Sequence, residues 1–274
     1  MDGPSDNLKW RSKPASPLAW RNGLVAPKPR LLPEEMPVAL SYNRVSFAVM
    51  MASPYDLRDF AIGFSKSEGI VEDLSEIEDL EILRVEFGIE CRMTLNAARA
   101  DVLEARKRRI AGPVGCGLCG MESLEQAVLP VKQITSSLKV PAAWIAQAFS
   151  RAEQQQALNQ ETHAVHAAAF ANTLSGNLLL REDVGRHNAL DKLIGAALRQ
   201  GEKPGEGVLL LTSRVSIDLI QKAAAFGTPI LAAISVPTAR AVREAEDAGI
   251  TLIGVARKDG FEIFTHAERV VVDL

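Results

Sequence analysis

The sequence predicts an α/β protein preceded by a smaller α+β part, and three patterns carry that expectation. From residue 207 onward, short wholly apolar runs alternate with amphipathic stretches that each close on a glycine: Gly207–Leu211, Ser216–Phe226 with Gly227, Pro229–Ile234, Thr238–Ala248 with Gly249, and Ile250–Val255. Buried strands alternating with helices imply parallel neighbours with helices packed on the sheet. Upstream, Leu83, Val85, Phe87, Ile89, Cys91, Met93 and Leu95 alternate with mostly polar residues, the period of a half-buried strand. Between these regions the pattern changes near residue 130, which divides the chain into 33–130 (α+β) and 131–274 (α/β).

Each further element follows from local chemistry. Residues 1–32 hold Pro4, Pro14, Pro17, Pro27 and Pro29 among Lys9, Arg11, Lys13, Arg21, Lys28 and Arg30, with poor periodicity. That composition reads as a flexible basic tail, with Trp10 and Trp20 available to dock it. Ser53-Pro54-Tyr55-Asp56 reads as a helix start with serine as cap; Leu57, Phe60, Ala61 and Phe64 follow at helical spacing, and Gly69 stops the helix. The long alternating strand puts Cys91 on the buried face as a core thiol. A helix is expected over Ala97–Arg109 and another from Pro141, carrying Ile145, Ala148, Phe149 and Ala152. Val165–Ala171 and Asn177–Arg181 read as strands turned at Ser175-Gly176, followed by an amphipathic helix through Leu190, Leu193, Ile194, Ala197 and Leu198 that Gly201 closes.

Composition narrows the function classes. The 274 residues are 47% hydrophobic and 24% charged with a net charge of −3, ordinary for a globular protein. That balance argues against a dedicated nucleic-acid binder and offers no pull toward anionic membranes. The longest apolar runs, such as Ile230–Val236, are too short to span a bilayer, and no apolar secretory core follows the N-terminus. Three cysteines without an export signal make a disulfide framework unexpected and a reducing cytoplasm the default.

Two of those cysteines, Cys116 and Cys119, stand in Gly-Cys-Gly-Leu-Cys-Gly. The spacing lets both sulfurs meet one atom or lets one attack the other, and the flanking glycines strip away steric shielding. Half a zinc site, a dithiol–disulfide couple and a persulfide carrier all use such a pair. Arg106, Lys107, Arg108 and Arg109, a few residues upstream, suit either a solvated helix end or the stabilisation of a thiolate. His163 and His166 form His-x-x-His and could complete a zinc site, but residues three apart on a strand face opposite ways. A zinc deaminase fits less well, because Ala168 takes the place of its glutamate and the cysteine pair comes first. A thioredoxin-like reductase would need the pair directly after an N-terminal strand.

In α/β sheets ligands bind beyond the carboxyl ends of the strands. Thr212-Ser213-Arg214, Ser235-Val236-Pro237 and Val255–Gly260 fall there. A phosphate could meet the free amides near Ser216 and be clamped by Arg214, Arg257 and Lys258. Neither a Walker motif nor Gly-x-Gly-x-x-Gly is present. The dense segment Arg181–Asn188 reads either as capping by Asp183 with a local ion-pair network, or as ligand or partner contact with His187 as proton donor.

Arg-Glu-Asp-Val-Gly-Arg-His-Asn-Ala-Leu-Asp-Lys at 181–192, Cys-Gly-Leu-Cys-Gly at 116–120 and Ser213-Arg214-Val215-Ser216 together resemble the formate dehydrogenase accessory sulfurtransferases, the FdhD family. So do Asp59–Phe64 with Ser67-Glu68-Gly69, and Leu252-Ile253-Gly254 leading to Phe264-Thr265-His266; the likeness spans roughly residues 35–270. The resemblance implies a cytidine-deaminase-like three-layer α/β/α domain without deaminase zinc chemistry, and a cytoplasmic homodimer. It further implies a sulfur carrier that takes persulfide sulfur from a cysteine desulfurase. The acceptor is the molybdenum (or tungsten) bis(molybdopterin guanine dinucleotide) cofactor, later inserted into formate dehydrogenase. On this resemblance Cys116 is the persulfide carrier with Cys119 beside it, and Val255, Ala256, Arg257, Lys258, Asp259 and Gly260 form the cofactor loop, near Ser213 and Arg214. The alternative is a non-catalytic cofactor-binding chaperone whose cysteine pair holds structural zinc or senses redox state. Two departures stand out: Thr162-His163-Ala164-Val165-His166 replaces a usual Thr-Gly-Gly-Val-His, and Asp259 brings a negative charge to the loop.

Overall fold

The basic N-terminal stretch forms strands where its composition predicts a tail. The computed structural model describes residues 11–110, 131–257 and 259–272, with side chains of the helix ending at Ile110 described as far as Leu103. Strand β1 (Ser12–Ala15) pairs antiparallel with β4 (Arg30–Pro33), enclosing a second hairpin of β2 (Leu18–Arg21) and β3 (Leu24–Pro27). Asn22 and Gly23, both at positive φ (51° and 82°), form the tip. Asn-Gly favours this hairpin turn because both central residues must adopt left-handed backbone, and here it outweighs the prolines: Pro17 and Pro29 lie between strands, Pro27 and Pro33 end them, and Pro14 sits within the edge strand β1. Trp20 does not dock the segment: it is 71% exposed. The arm is held at its base, where the Arg11 guanidinium lies 4.8 Å from the Tyr55 ring centroid and the Glu34 amide donates to the Arg11 carbonyl at 2.9 Å. Trp10 lies outside the described residues.

The N-terminal lobe is a four-stranded sheet backed by helices. Strands β5 (Met36–Tyr42) and β6 (Val45–Ala52) precede α1 (Leu57–Ser67); β7 (Ile77–Val85), β8 (Gly88–Leu95) and α2 (Ala97–Ile110) follow, in the sheet order β6-β5-β8-β7. The single long strand expected through Leu95 is in fact a hairpin turning at Glu86-Phe87, with Val85 opposite Gly88. The alternation survives in sequence but changes face at the turn. Ile89, Cys91, Met93 and Leu95 are buried, whereas Val85 and Phe87 are 49% and 81% exposed. In the pairing Ile82↔Cys91 and Leu80↔Met93, it is Leu80 and Ile82 of β7 that share the core face. The N-cap position of α1 is Asp56, in left-handed backbone and without a side-chain capping bond, not Ser53, and Gly69 (φ 65°) follows the helix end as expected.

The C-terminal lobe has three layers. After β9 (Val140–Pro141) come α3 (Ala142–Gln155), α4 (Ala157–Thr162), β10 (His166–Asn172), β11 (Leu178–Asp183), α5 (Arg186–Arg199), β12 (Gly207–Leu211), α6 (Ile217–Phe226), β13 (Ile230–Ala233), α7 (Ala239–Ala248), β14 (Thr251–Arg257), β15 (Gly260–Ile263) and β16 (Val270–Val271). The sheet order is β11-β10-β12-β13-β14-β15; β12, β13 and β14 run parallel, as the alternating pattern predicts, and the outer strands pair antiparallel. Phe170, Leu209, Leu211, Leu231 and Leu252 pack under α5, α6 and α7, while Ala169, Ala171, Leu210, Ala232 and Ile253 face α3. The period-2 alternation thus supplies two cores from one sheet.

The lobes meet across α1 and α5 at backbone distance. A Cβ on Gly63 would stand 1.7 Å from the Asp191 carbonyl oxygen, and one on Gly195 would stand 1.9 Å from that of Asp59. Only glycine permits this approach, and it brings the polar residues of both helices within reach of one another.

Candidate functional site

Most of the charged run Arg181–Lys192 joins the lobes. Asp183 and Lys192 are fully buried and 2.6 Å apart. Asp183 also accepts from the Ser53 amide at 3.0 Å, the Gly185 amide at 2.8 Å and Asn188 Nδ2 at 3.1 Å. Lys192 Nζ donates to the Ser53 carbonyl at 2.9 Å and lies 4.3 Å from the Tyr55 ring centroid. Ser53, expected as a helix cap, is instead the N-terminal lobe's half of this latch. Arg181 and Arg199 both reach Asp59 of α1 at 2.7 Å, and Glu182 caps α4 by accepting from the Leu158 and Asn159 amides. Next to Lys192 on α5, Asp191 pairs with Lys222 at 3.0 Å and accepts from Ser67 Oγ at 2.6 Å. Burial pushes the Asp191 carboxyl up. Burial also works against the Lys222 ammonium, but the carboxylates of Asp191 and Glu68 outweigh it and hold Lys222 above its ordinary value. Glu182 is satisfied by backbone amides, and the other charges here each have a counter-charge and hydrogen bonds, the condition under which buried ions are tolerated. Arg186 and His187 stand apart at the start of α5, with His187 Nε2 3.7 Å from Asp218 Oδ2.

A cavity of about 810 Å³ opens where β12, β13 and β14 end, under α3. Ala167, Ala169, Leu180, Leu210 and Phe149 make its apolar walls; Gln156, Asn159, Thr212, His166 and Arg257 bring polar groups to it. This is the sheet edge at which the strand-end argument places a ligand. Burial, then the nearby Arg186 guanidinium, lowers the pKa of His166, which favours the neutral imidazole. Arg257 donates from Nη1 to the carbonyls of Ile234 and Ala256, so its charge is held at the cavity mouth.

Of the expected cofactor loop, Ala256 and Arg257 line this cavity. Val255 adopts left-handed backbone (φ 53°) at a bulge between Gly254 and Arg257, and its amide donates to the Ser235 carbonyl at 3.3 Å. A β-branched residue in that region is strained, and strain of this kind gathers at functional loops. Asp259 and Gly260 form the exposed turn into β15. Ser213 is buried with its Oγ donating to the Arg214 carbonyl at 3.0 Å, and Arg214 is exposed; both follow Thr212 just outside the lining. Cys116, Cys119 and Lys258 lie outside the described residues, as do the side chains of Arg106–Arg109. Cys91 is the expected core thiol: it is fully buried, its Sγ is 3.9 Å from the Leu57 carbonyl, and burial pushes its pKa up to about 12.

His163 and His166 are not brought together. His163 C-caps α4 in left-handed backbone (φ 53°) and lines a separate hollow against the N-terminal arm, while His166 lines the strand-end cavity. His163 thus holds a left-handed backbone that glycine adopts more readily. Among the described residues no three His, Cys, Asp or Glu side chains gather as metal ligands. The helical contribution to the cavity, Phe149 of α3, Gln156 between α3 and α4, and Asn159 of α4, carries no sequence signal beyond amphipathicity. No helix of the described residues is long and apolar enough to cross a membrane.

The family model described as FdhD/NarQ matches residues 33–271. The chain belongs to the FdhD/NarQ family. It is 50% identical over 255 residues to the sulfur carrier protein FdhD of Agrobacterium fabrum, covering 93% of this chain and 94% of that one. The proteins of the same name from Brucella abortus and Cupriavidus necator are 48% and 46% identical, over 88% and 91% of this chain and 90% and 87% of theirs. A crystal structure from Desulfotalea psychrophila, described as that of a formate dehydrogenase accessory protein, shares the fold. Its TM-score is 0.76 at 24% identity, covering 95% of this chain and 99% of that one. Within the family frame, the 181–192 segment is the lobe latch and the strand-end loops border the cavity.

Proposed function

We propose that this FdhD/NarQ protein is a cytoplasmic sulfurtransferase. It carries persulfide sulfur from a cysteine desulfurase to the molybdenum (or tungsten) bis(molybdopterin guanine dinucleotide) cofactor destined for formate dehydrogenase. The strand-end cavity carries this reading, in a chain half identical to a protein named a sulfur carrier. Its volume suits a ligand of drug size. A bis-dinucleotide is larger, so the cavity takes one nucleotide end and leaves the rest outside. Apolar walls offer a face to a base, Gln156, Asn159, Thr212 and neutral His166 offer hydrogen bonds, and Arg257 offers charge to phosphate. Ser213, Arg214, Val255, Ala256, Lys258, Asp259 and Gly260 belong to the loops that would close around it. The three-layer lobe serves in this reading as a cytidine-deaminase-like scaffold used for binding.

The chemistry belongs to the cysteine pair. The Cys116 thiolate attacks the terminal sulfur of the desulfurase persulfide; the S–S bond breaks and the desulfurase leaves as thiolate. The Cys119 thiolate then attacks Cys116 Sγ, and the terminal sulfur departs as hydrosulfide with the bonding electron pair, available to the cargo metal. Cys116 and Cys119 are left as a disulfide that a cellular dithiol reduces, which balances the electrons. The protein contributes proximity.

Intact mass after incubation with a desulfurase and cysteine tests this. A gain of about one sulfur atom is expected, lost on reduction and absent in Cys116→Ala. Cys91, buried with a raised pKa, stays unmodified in the native protein. Sulfur loading and cofactor sulfuration by Cys116→Ala at the wild-type level would reject the assignment.

A further inference from the structure

We propose that Glu182 is a positioning residue for the strand-end cavity: it holds the short helix α4 so that Gln156 and Asn159 face the nucleotide end of the cofactor. The inference rests on the reading of that cavity as the place where the cofactor binds. Glu182 stands on the edge strand β11 two residues after Leu180, a cavity-lining residue, so both side chains leave the same face of the sheet. It is 6% exposed and is not among the residues that line the cavity, so it acts through α4. Its Oε2 accepts from the Leu158 amide at 2.9 Å and its Oε1 from the Asn159 amide at 2.8 Å.

Helix α4 needs an anchor from outside. Ala157–Thr162 is six residues, too short to keep its shape alone. Its N-cap position is Gln156, whose side chain makes no capping bond. The second and third amides of the helix, which a capping side chain would serve, go to Glu182 instead. Negative charge also suits that end of a helix. The Gln156 side chain is thereby left to the cavity, where its Oε1 accepts from Asn159 Nδ2 at 3.2 Å and sets the two amide groups in a fixed relation. Between the two amide donors' side chains the work is divided: Asn159 lines the cavity, while Leu158 packs with Tyr55 and Val165, and Val165 is itself a lining residue. A shift of the Glu182 carboxylate therefore moves the first turn of α4 and both polar groups on it. Burial pushes the Glu182 carboxyl up, and the two amides, then the Arg11 guanidinium at the base of the N-terminal arm, act against that.

Calorimetric titration of the full chain with GDP, which carries the guanosine and two phosphates of the cofactor's nucleotide end, tests the proposal. Glu182→Gln keeps the shape of the side chain but has one acceptor oxygen for two amides. It is expected to raise the GDP dissociation constant roughly tenfold, the scale of one or two hydrogen bonds between uncharged groups. Glu182→Asp keeps the charge and falls one methylene short, so its affinity should lie between the two. In a chain already carrying Gln156→Ala and Asn159→Ala, Glu182→Gln should change the constant less than about twofold, because the groups it positions are gone. A residue that served stability alone would act equally on both backgrounds. Far-UV spectra and thermal melts check that each variant is folded. Unaltered GDP affinity in Glu182→Gln, or the same loss on the doubly substituted background, would overturn the proposal and leave the cavity reading intact. A wild type that does not bind GDP would remove the cavity reading, and the inference with it, so the two failures are told apart.

Discussion

Gly195→Ala is expected to loosen the protein as a whole, because α1 and α5 touch through their backbones. The new Cβ would stand 1.9 Å from the Asp59 carbonyl oxygen, 2.7 Å from its carbon and 2.9 Å from its Cα. Ordinary contact begins at 3.4 Å, so the helices must separate by about 1.5 Å, and no flexible side chain can swing aside. Overpacking of this kind costs about 1–3 kcal/mol, and more when backbone must move. The shift also stretches the 2.7 Å pairs from Arg181 and Arg199 to Asp59. Against this, alanine improves helix propensity by about 1 kcal/mol over glycine. Taking the upper end of that range because backbone must move, the net expectation is a loss of about 2 kcal/mol, or a fall in Tm of roughly 4–8 °C at the sensitivity of a chain this size. Thermal melts and urea titrations measure it, with Gly205→Ala as control, since a Cβ there meets nothing within 4 Å. A Gly195→Ala midpoint equal to that of the wild type would refute the close-crossing argument.

Two further perturbations address the latch. Lys192→Met leaves the Asp183 carboxylate buried without its counter-charge, which costs about 3–5 kcal/mol; Asp183→Asn added to it should recover part of the loss, and a strictly additive double mutant would deny the pairing. Lys222 has a raised pKa, so its stabilising contribution is fully present below its ordinary 10.5 and disappears as pH climbs through the raised folded value. Denaturation midpoints should therefore decline on the alkaline side in the wild type, and Lys222→Met should flatten that decline; an unchanged profile would show the pair to be uncoupled from folding.

Patterns with a short period were legible before any coordinates. The alternation after residue 207 specified three parallel strands and their helices, and Gly227 and Gly249 closed those helices in left-handed backbone, as Gly201 follows α5. Asn22-Gly23 was an equally local signal for a hairpin, hidden by the prolines around it. The β7–β8 turn was illegible for a different reason: the two-residue turn preserves alternation, so nothing in the one-dimensional pattern marks the change of face. The strand-end argument reached Ala256 and Arg257 because sheet topology follows from the order of elements, yet α3's share of the cavity depends on how a helix packs on the sheet.

By itself the sequence determined the α/β architecture, the buried state of Cys91 and the edge of the sheet where the cavity opens, since each follows from periodicity and chain order. Only the tertiary structure decided what Arg181–Lys192 does. A charged dodecapeptide has the same composition whether it meets a ligand or another lobe. Its partners Ser53, Asp59 and Ser67 lie over a hundred residues away in sequence. Two glycines that let the helices cross at backbone distance brought them together, and long-range approach of that kind is a property of packing that no local pattern encodes.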